Sequence, residues 1–246
     1  MDKFTDMLIV GLTGGIASGK STVSTRLREK HKFTIVDADL IAREVVYPGK
    51  KAYKQILTEF NDVPNLVNED GSLNRAVLGE SVFGNKTRLT QLNRIVHPAV
   101  RYEIFRQILM AYVSFKQLVI LDVPLLFEAG LDKICGLTVT VSSSPSLQLE
   151  RLLKRNPELS PEDAQMRIDS QMPSEERNYR ADLVIDNCHD LQTLYDSIDS
   201  IAQEIKPNKI FTLLDYFPPF ALVSAILTFS IRLTRDKFKG TKPKQN

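Results

Sequence analysis

Gly14-Gly15-Ile16-Ala17-Ser18-Gly19-Lys20-Ser21 holds the residues of this chain most able to do chemistry. The G-x-x-x-x-G-K-S spacing lets backbone N–H groups converge on phosphate oxygens. A helix starting at the end of the loop adds its partial positive charge. Lys20 would reach the β- and γ-phosphates of a nucleotide, and the Ser21 hydroxyl would ligate Mg²⁺.

A second signal is Asp37-Ala38-Asp39, two carboxylates with one residue between them. One is suited to orient Mg²⁺ or its waters, the other to accept a proton from an attacking hydroxyl. Either also suits the cap of a following helix. Asp122 closes the apolar run Leu118-Val119-Ile120-Leu121 and resembles the carboxylate that ends beside Mg²⁺ in phosphate-loop proteins. Glu128 suits a supporting role there, or a helix start. Arg151 and Arg155 lie four apart, so they share a helix face, with Lys154 beside them. Such a cluster can clamp a transferring phosphoryl group. His97 precedes Pro98 and is not assigned to proton transfer; His31 and His189 read as surface or loop residues.

These residues need a scaffold, and the apolar runs supply one. Met7 to Thr13, Phe33 to Val36, Leu118 to Leu121, Leu137 to Val141 and Leu183 to Ile185 read as five buried strands. They alternate with helical stretches, which argues for an α/β doubly wound sheet. Ligands in such sheets bind beyond the carboxyl ends of the strands. The phosphate loop, Asp37/Asp39, Asp122, Ser142 to Ser144 and Asp186/Asn187 all follow strands in that position. Between Asp39 and Leu118 the chain reads as mostly helical, a substrate-facing insertion. Within it, Pro98 is expected in the first turn of a helix running to about Phe115, where its missing N–H costs little. Ser160 reads as an N-cap with Pro161 at the first helical position.

The 246 residues suffice for one sizeable core with a small insertion and a tail. The net charge is +2, which gives no strong pull toward nucleic acid, and no nucleic-acid partner is expected. The charge is uneven: residues from Ile210 onward carry six Lys/Arg and two Asp, a net +4, leaving −2 for the rest. Cys135 and Cys188 show no metal-ligand spacing and read as reduced thiols of an intracellular protein. The polar start Met1 to Asp6 lacks the features of a secretory or transit leader.

Together these residues resemble the dephospho-CoA kinase family over about Met7 to Lys206. The resemblance rests on Val10 to Thr22, Val36 to Arg43, Asp70 to Arg75 and Ile95 to Pro98. It continues through Leu121 to Glu128, Gln148 to Arg155, Ser170 to Pro173 and Ala181 to Asn187. It implies an ATP-dependent enzyme that phosphorylates the ribose 3′-hydroxyl of dephospho-CoA, giving CoA and ADP. The implied fold is an α/β phosphate-loop kinase: a five-stranded parallel sheet like that of nucleoside monophosphate kinases, a helical acceptor subdomain at about 40–117 and a lid at about 146–180. The kinase domain would span 1–209. The resemblance implies that Gly14, Gly15, Ile16, Ala17, Ser18, Gly19, Lys20, Ser21 and Thr22 hold the ATP phosphates and, through Ser21, Mg²⁺; Asp37 and Asp122, read above, are the further expected metal residues. It makes Asp39 the general base, Arg151 and Arg155 lid arginines, and Asn187 part of the adenine-lining segment. Arg75 and His97 fall in the acceptor subdomain. Asn74 departs from the acid common before that arginine.

Residues 210–246 form a separate tail. Tyr216 to Ile231 are sixteen residues without a charge. As a helix they would reach roughly 24 Å, short of the ~30 Å hydrocarbon core. Ser224, Thr228, Arg232 and Asp236 make a narrow polar stripe, and basic residues follow. This predicts a helix lying at a membrane surface, its basic end on anionic headgroups; packing against the kinase body is the alternative. The resemblance extends to a eukaryotic, membrane-attached form, cytoplasmic and associated with the endoplasmic reticulum or mitochondrial outer membrane. Other enzymes of CoA synthesis are partners the tail leaves open. The lack of an N-K-x-D motif argues against a GTPase. The rivals are another small-molecule kinase of the same fold and a non-catalytic scaffold, against which intact Lys20, Ser21, Asp37 and Asp39 argue.

Overall fold

The computed structural model describes residues 7–206, Val223 and residues 226–234. The chain divides into two compact units, one of Met1–Val36 with Ala111–Asn246, the other of Asp37–Met110.

The five expected strands are present. They are β1 (Leu8–Gly14), β2 (Thr34–Asp37), β3 (Leu118–Asp122), β4 (Leu137–Ser142) and β5 (Leu183–Asp186). The helices are α1 (Lys20–Glu29), α2 (Ala38–Glu44), α3 (Lys51–Glu59), α4 (Arg75–Val82), α5 (Lys86–Val113), α6 (Pro145–Arg155), α7 (Pro161–Asp169), α8 (Ser174–Arg180) and α9 (Leu191–Glu204). The sheet order is β2-β3-β1-β4-β5. Parallel registers align Val10 of β1 with both Ile120 and Leu137, and Val141 with Ile185. All five residues of β3 are buried, as expected of a parallel strand covered on both faces. The chain leaves β1 toward β2 on one side and later places β4 on the other. That makes β1 the switch point, where such sheets open a crevice at the carboxyl end.

Helices α1 and α9 cover the sheet with Val23, Leu27, Leu194 and Ile198, which join Val10, Ile120 and Val141 in one core. Asp199 ties the two helices together. It accepts from Arg26 (2.6 Å), Lys30 (2.7 Å) and the His31 ring (2.7 Å). His31, read as a surface or loop residue, does stand in the turn after α1, and Asp199 holds its ring there. A contact between residues 168 apart in sequence, invisible locally, holds it.

Ser160 caps α7 as expected, its Oγ accepting from Asp163 N at 3.1 Å. In the second unit the expectation for Pro98 fails. Helix α5 is continuous from Lys86 to Val113 with Pro98 inside it. An internal proline removes one backbone bond and crowds the preceding turn. Residues on both sides sustain the helix across that gap: nothing between Leu89 and Ile95 breaks it, and the buried Ile104 anchors the far half.

Residues 226–234 are helical, and Arg232 on this segment is buried. Its Nη2 donates to Asp182 Oδ2 (2.6 Å) and to Gly136 O (2.9 Å). Gly136 and Asp182 precede β4 and β5, so the segment docks at the amino end of the sheet, opposite the phosphate loop. Arg232, counted above among the tail's basic residues, is thus turned inward. Val223, Ile226, Leu227 and Ile231 face outward and are exposed. The start of the uncharged run, Tyr216 to Leu222, lies outside the described residues. No helix among the described residues is long and apolar enough to cross a membrane.

Candidate active site

The phosphate loop leaves the buried end of β1 at Gly14 and enters α1 through Gly19, whose φ of 90° lies in the left-handed region. A side chain at Gly19 would be strained there, and its Cβ would stand 2.2 Å from Asn187 Nδ2. Ala17 also takes a positive φ, 57°. A non-glycine residue in that region costs of order 1–3 kcal/mol, and such outliers cluster at ligand clamps. No side chain caps the first amides of α1, so they stay available to an anion.

Distant elements brace the loop. Ile16 N donates to Gln171 Oε1 (2.7 Å), and Asn187 Nδ2 donates to Ser18 O (2.7 Å). Ser18 N closes on Gly15 O (3.1 Å). A Cβ on Gly15 would meet Gln148 Nε2 at 2.5 Å and Arg177 Nη2 at 2.7 Å, so two buried side chains press on this glycine. The Ser18 hydroxyl is buried without a hydrogen-bond partner among the described residues.

Lys20 Nζ forms an ion pair with Asp122, the buried end of β3. The lysine that would contact phosphate is therefore already directed along the site by a fixed carboxylate. Ser21 is exposed at the start of α1 and Thr22 follows it, half-buried. Arg151 on α6 donates from Nη2 to Asn187 O (3.1 Å), and its Nη1 is buried with no partner among the described residues. Arg155, one turn later, is exposed and donates to Asn156 Oδ1 (3.3 Å). The two arginines thus share a helix, but only Arg151 reaches the segment that braces the loop. Asn187, expected in the segment that lines the adenine, is buried, and its side chain donates to Ser18 O.

Asp37, Asp39, Arg75 and His97 belong to the second unit. Asp37 Oδ1 caps α2, accepting from Asp39 N and Leu40 N at 3.0 Å each. Asp39 is exposed in the first turn of α2, where the helix dipole favours a carboxylate. Arg75, at the start of α4, donates to Arg43 O (2.8 Å), and His97 is exposed on α5. A cavity of about 650 Å³ lies in this unit between the end of α2, the start of α3 and the middle of α5. Val45, Ala52, Ile95 and Tyr102 contribute to its apolar lining, and Lys50, Lys51 and Arg94 are its cations. Arg75 and His97 are not among the lining residues.

Gln148, Gln171 and Arg177 were not read as site residues from the sequence. Arg177 stands in Ser174-Glu175-Glu176-Arg177-Asn178-Tyr179-Arg180, a polar stretch that reads as a solvated face. It is nevertheless only 4% exposed. Burial lowers its pKa from the ordinary guanidinium value, with Glu128 acting in the opposite sense.

Known proteins are similar to this chain in sequence and in fold. The family model for dephospho-CoA kinase matches residues 8–193. A dephospho-CoA kinase of Saccharomyces cerevisiae is 54% identical over 237 residues, covering 96% of this chain and 98% of that protein. One from Bacillus cereus is 51% identical over 180 residues, 73% of this chain and 88% of the relative. Among solved structures, the dephospho-CoA kinase of Campylobacter jejuni superposes with a TM-score of 0.63 at 29% identity, covering 80% of this chain and 96% of that one.

Proposed function

The chain belongs to the dephospho-CoA kinase family, and from that membership we propose how its residues divide the transfer of the ATP γ-phosphoryl group to the ribose 3′-hydroxyl of dephospho-CoA, the last step of CoA synthesis. Loop amides from Gly14 to Thr22 and the first turn of α1 take the phosphates of ATP. Lys20 exchanges part of its contact with Asp122 for the β- and γ-phosphates as the nucleotide enters. Asp39 accepts the proton of the 3′-hydroxyl while that oxygen bonds to the γ-phosphorus and the bond to ADP breaks. Arg151, and Arg155 once the lid closes, balance the charge spread over the transferring group. Asn187 keeps the loop in shape from behind, beside the nucleotide.

Mg²⁺ fits the donors present. Ser21 Oγ and Asp122 of the first unit are hard oxygen donors, and few are needed because Mg²⁺ keeps waters; Asp37, the third expected metal residue, belongs to the second unit, where one of its oxygens caps α2. When bound, Mg²⁺ would neutralise charge on the nucleotide phosphates.

For the acceptor, the second unit offers the cavity, whose lining includes neither Arg75 nor His97. Asp39 and Glu44 lie on one short helix, about 8 Å apart along its axis, and Glu44 lines the cavity. We place the non-reacting arm of dephospho-CoA there, its amides and methyls on the apolar lining and its diphosphate toward Lys50, Lys51 and Arg94.

The segment after residue 209 is read as a membrane-surface attachment. Support comes from the exposed Val223, Ile226, Leu227 and Ile231 and from the lysines that follow. Truncation after Lys209 should move the protein from the membrane to the soluble fraction. Unchanged partitioning removes this assignment.

The observation that carries the catalytic reading is the prepared phosphate loop: uncapped amides, braced carbonyl, and Lys20 aligned on Asp122. The test is purified protein with ATP, Mg²⁺ and dephospho-CoA. CoA and ADP should appear in equal amounts. ADP formed at the same rate without acceptor would overturn the assignment.

A further inference from the structure

The geometry points to Arg177 as an additional phosphate-binding residue, one that takes an oxygen of the ATP polyphosphate at the Gly15 end of the loop. This inference rests on the reading of the loop as the ATP site.

Arg177 lies on α8 with 4% of its surface exposed. Its Nη2 donates to Ser174 Oγ (3.1 Å), one turn earlier on the same helix. Nε and Nη1 are buried with no hydrogen-bond partner, and no carboxylate forms a salt bridge with it among the described residues. Glu128 is the acid that acts on it electrostatically, but Glu128 Oε1 is itself engaged by Met172 N (3.3 Å). Lys20, by contrast, has Asp122.

A guanidinium cannot escape by losing its proton at neutral pH. A buried charge without a partner is among the costliest groups in a folded chain. The position is also specific. Arg177 Nη2 and Cζ would stand 2.7 and 3.4 Å from a Cβ on Gly15, so the cation presses on the first turn of the phosphate loop. A glycine there allows that approach. An anion in the loop would supply the partner that the free chain lacks. Arg177 thus destabilises the empty fold and strengthens the liganded one, the trade expected where a local rule is broken at a functional site.

The test uses the full chain with Arg177→Met, Arg177→Gln and Arg177→Lys, and Lys20→Ala as a control. Thermal unfolding of the nucleotide-free proteins is read beside calorimetric binding of ATP. Met and Gln should leave the melting temperature unchanged or raised. They should weaken ATP binding at least about tenfold, the loss of one charge-assisted contact. Lys should restore most of the affinity. ATP binding within twofold of the parent in Met or Gln overturns the inference. So does an equal loss in Lys and Gln accompanied by a lowered melting temperature, which marks Arg177 as structural packing. Should Met fail to fold, Gln against Lys decides. If Lys20→Ala also binds ATP normally, the reading of the loop itself fails, a separate result.

Discussion

Replacing Arg232 by Met removes a polar tie between the C-terminal helix and the kinase unit. Arg232 gives Asp182 a 2.6 Å charged bond and Gly136 O a 2.9 Å bond. The side chains are 10% and 17% exposed, so the pair is largely shielded from water. Asp182 keeps bonds from Thr138 N (2.8 Å) and Thr138 Oγ1 (2.9 Å) after the change, so it is not stranded. The cost should then fall below the ~3–5 kcal/mol of breaking a fully buried pair, at about 2–3 kcal/mol. A helix this short does not persist alone in water, so the loss should appear as local detachment. Proteolysis that tracks the open population would accelerate roughly 30- to 160-fold at about 1.36 kcal/mol per decade. Chymotrypsin is the suitable protease, because it cuts at Leu227 and Phe229 and does not use the mutated arginine. Turnover with ATP and dephospho-CoA should stay within about twofold, since Arg232 docks at the amino end of the sheet, away from the loop. An unchanged cleavage rate would refute the docking argument. So would an equal fall in turnover, which would mean that the tie is not local.

Lys20→Ala and Asp39→Asn should each lower turnover by about 10²–10⁴-fold with the melting temperature nearly unchanged; steady-state kinetics check this, and near-full activity in Asp39→Asn would remove it as the base. Burial pushes the Cys135 thiol up to about 12, whereas Cys188 is exposed. A thiol reagent at pH 8 should therefore label one cysteine quickly and the second only on unfolding; two fast equivalents would contradict the burial. Bonds from Arg26, Lys30 and His31 hold the Asp199 carboxyl well below the usual range. A depressed folded-state pKa stabilises above the ordinary value of about 3.9 and is lost as pH falls below it. Urea unfolding from pH 5 down to 2.5 should show a shallower acid limb in Asp199→Asn than in the parent, and parallel limbs would count against the cluster.

The strands, the phosphate loop and the caps were legible in the sequence because their causes are local. A β-branched run such as Leu137 to Val141, a glycine loop followed by a helix, and Ser160 before Pro161 each carry their signal within a few residues. Pro98 misled for the same reason: a local rule was weighed without the helical residues on both sides of it. The ordered motifs also sufficed for the family, since each had its place along the chain. Pairs far apart were another matter. Ile16 with Gln171, 155 residues apart, and Lys20 with Asp122, 102 apart, meet only because parallel strands bring their carboxyl ends together. Arg177 stands in a polar stretch and Arg232 was counted among the basic residues of the tail, yet both are buried. Which face of a charged helix turns inward depends on the surface waiting for it. Composition and spacing settled the chemistry this chain can do; packing alone chose the side chains that hold its loop and the end of the sheet on which its tail rests.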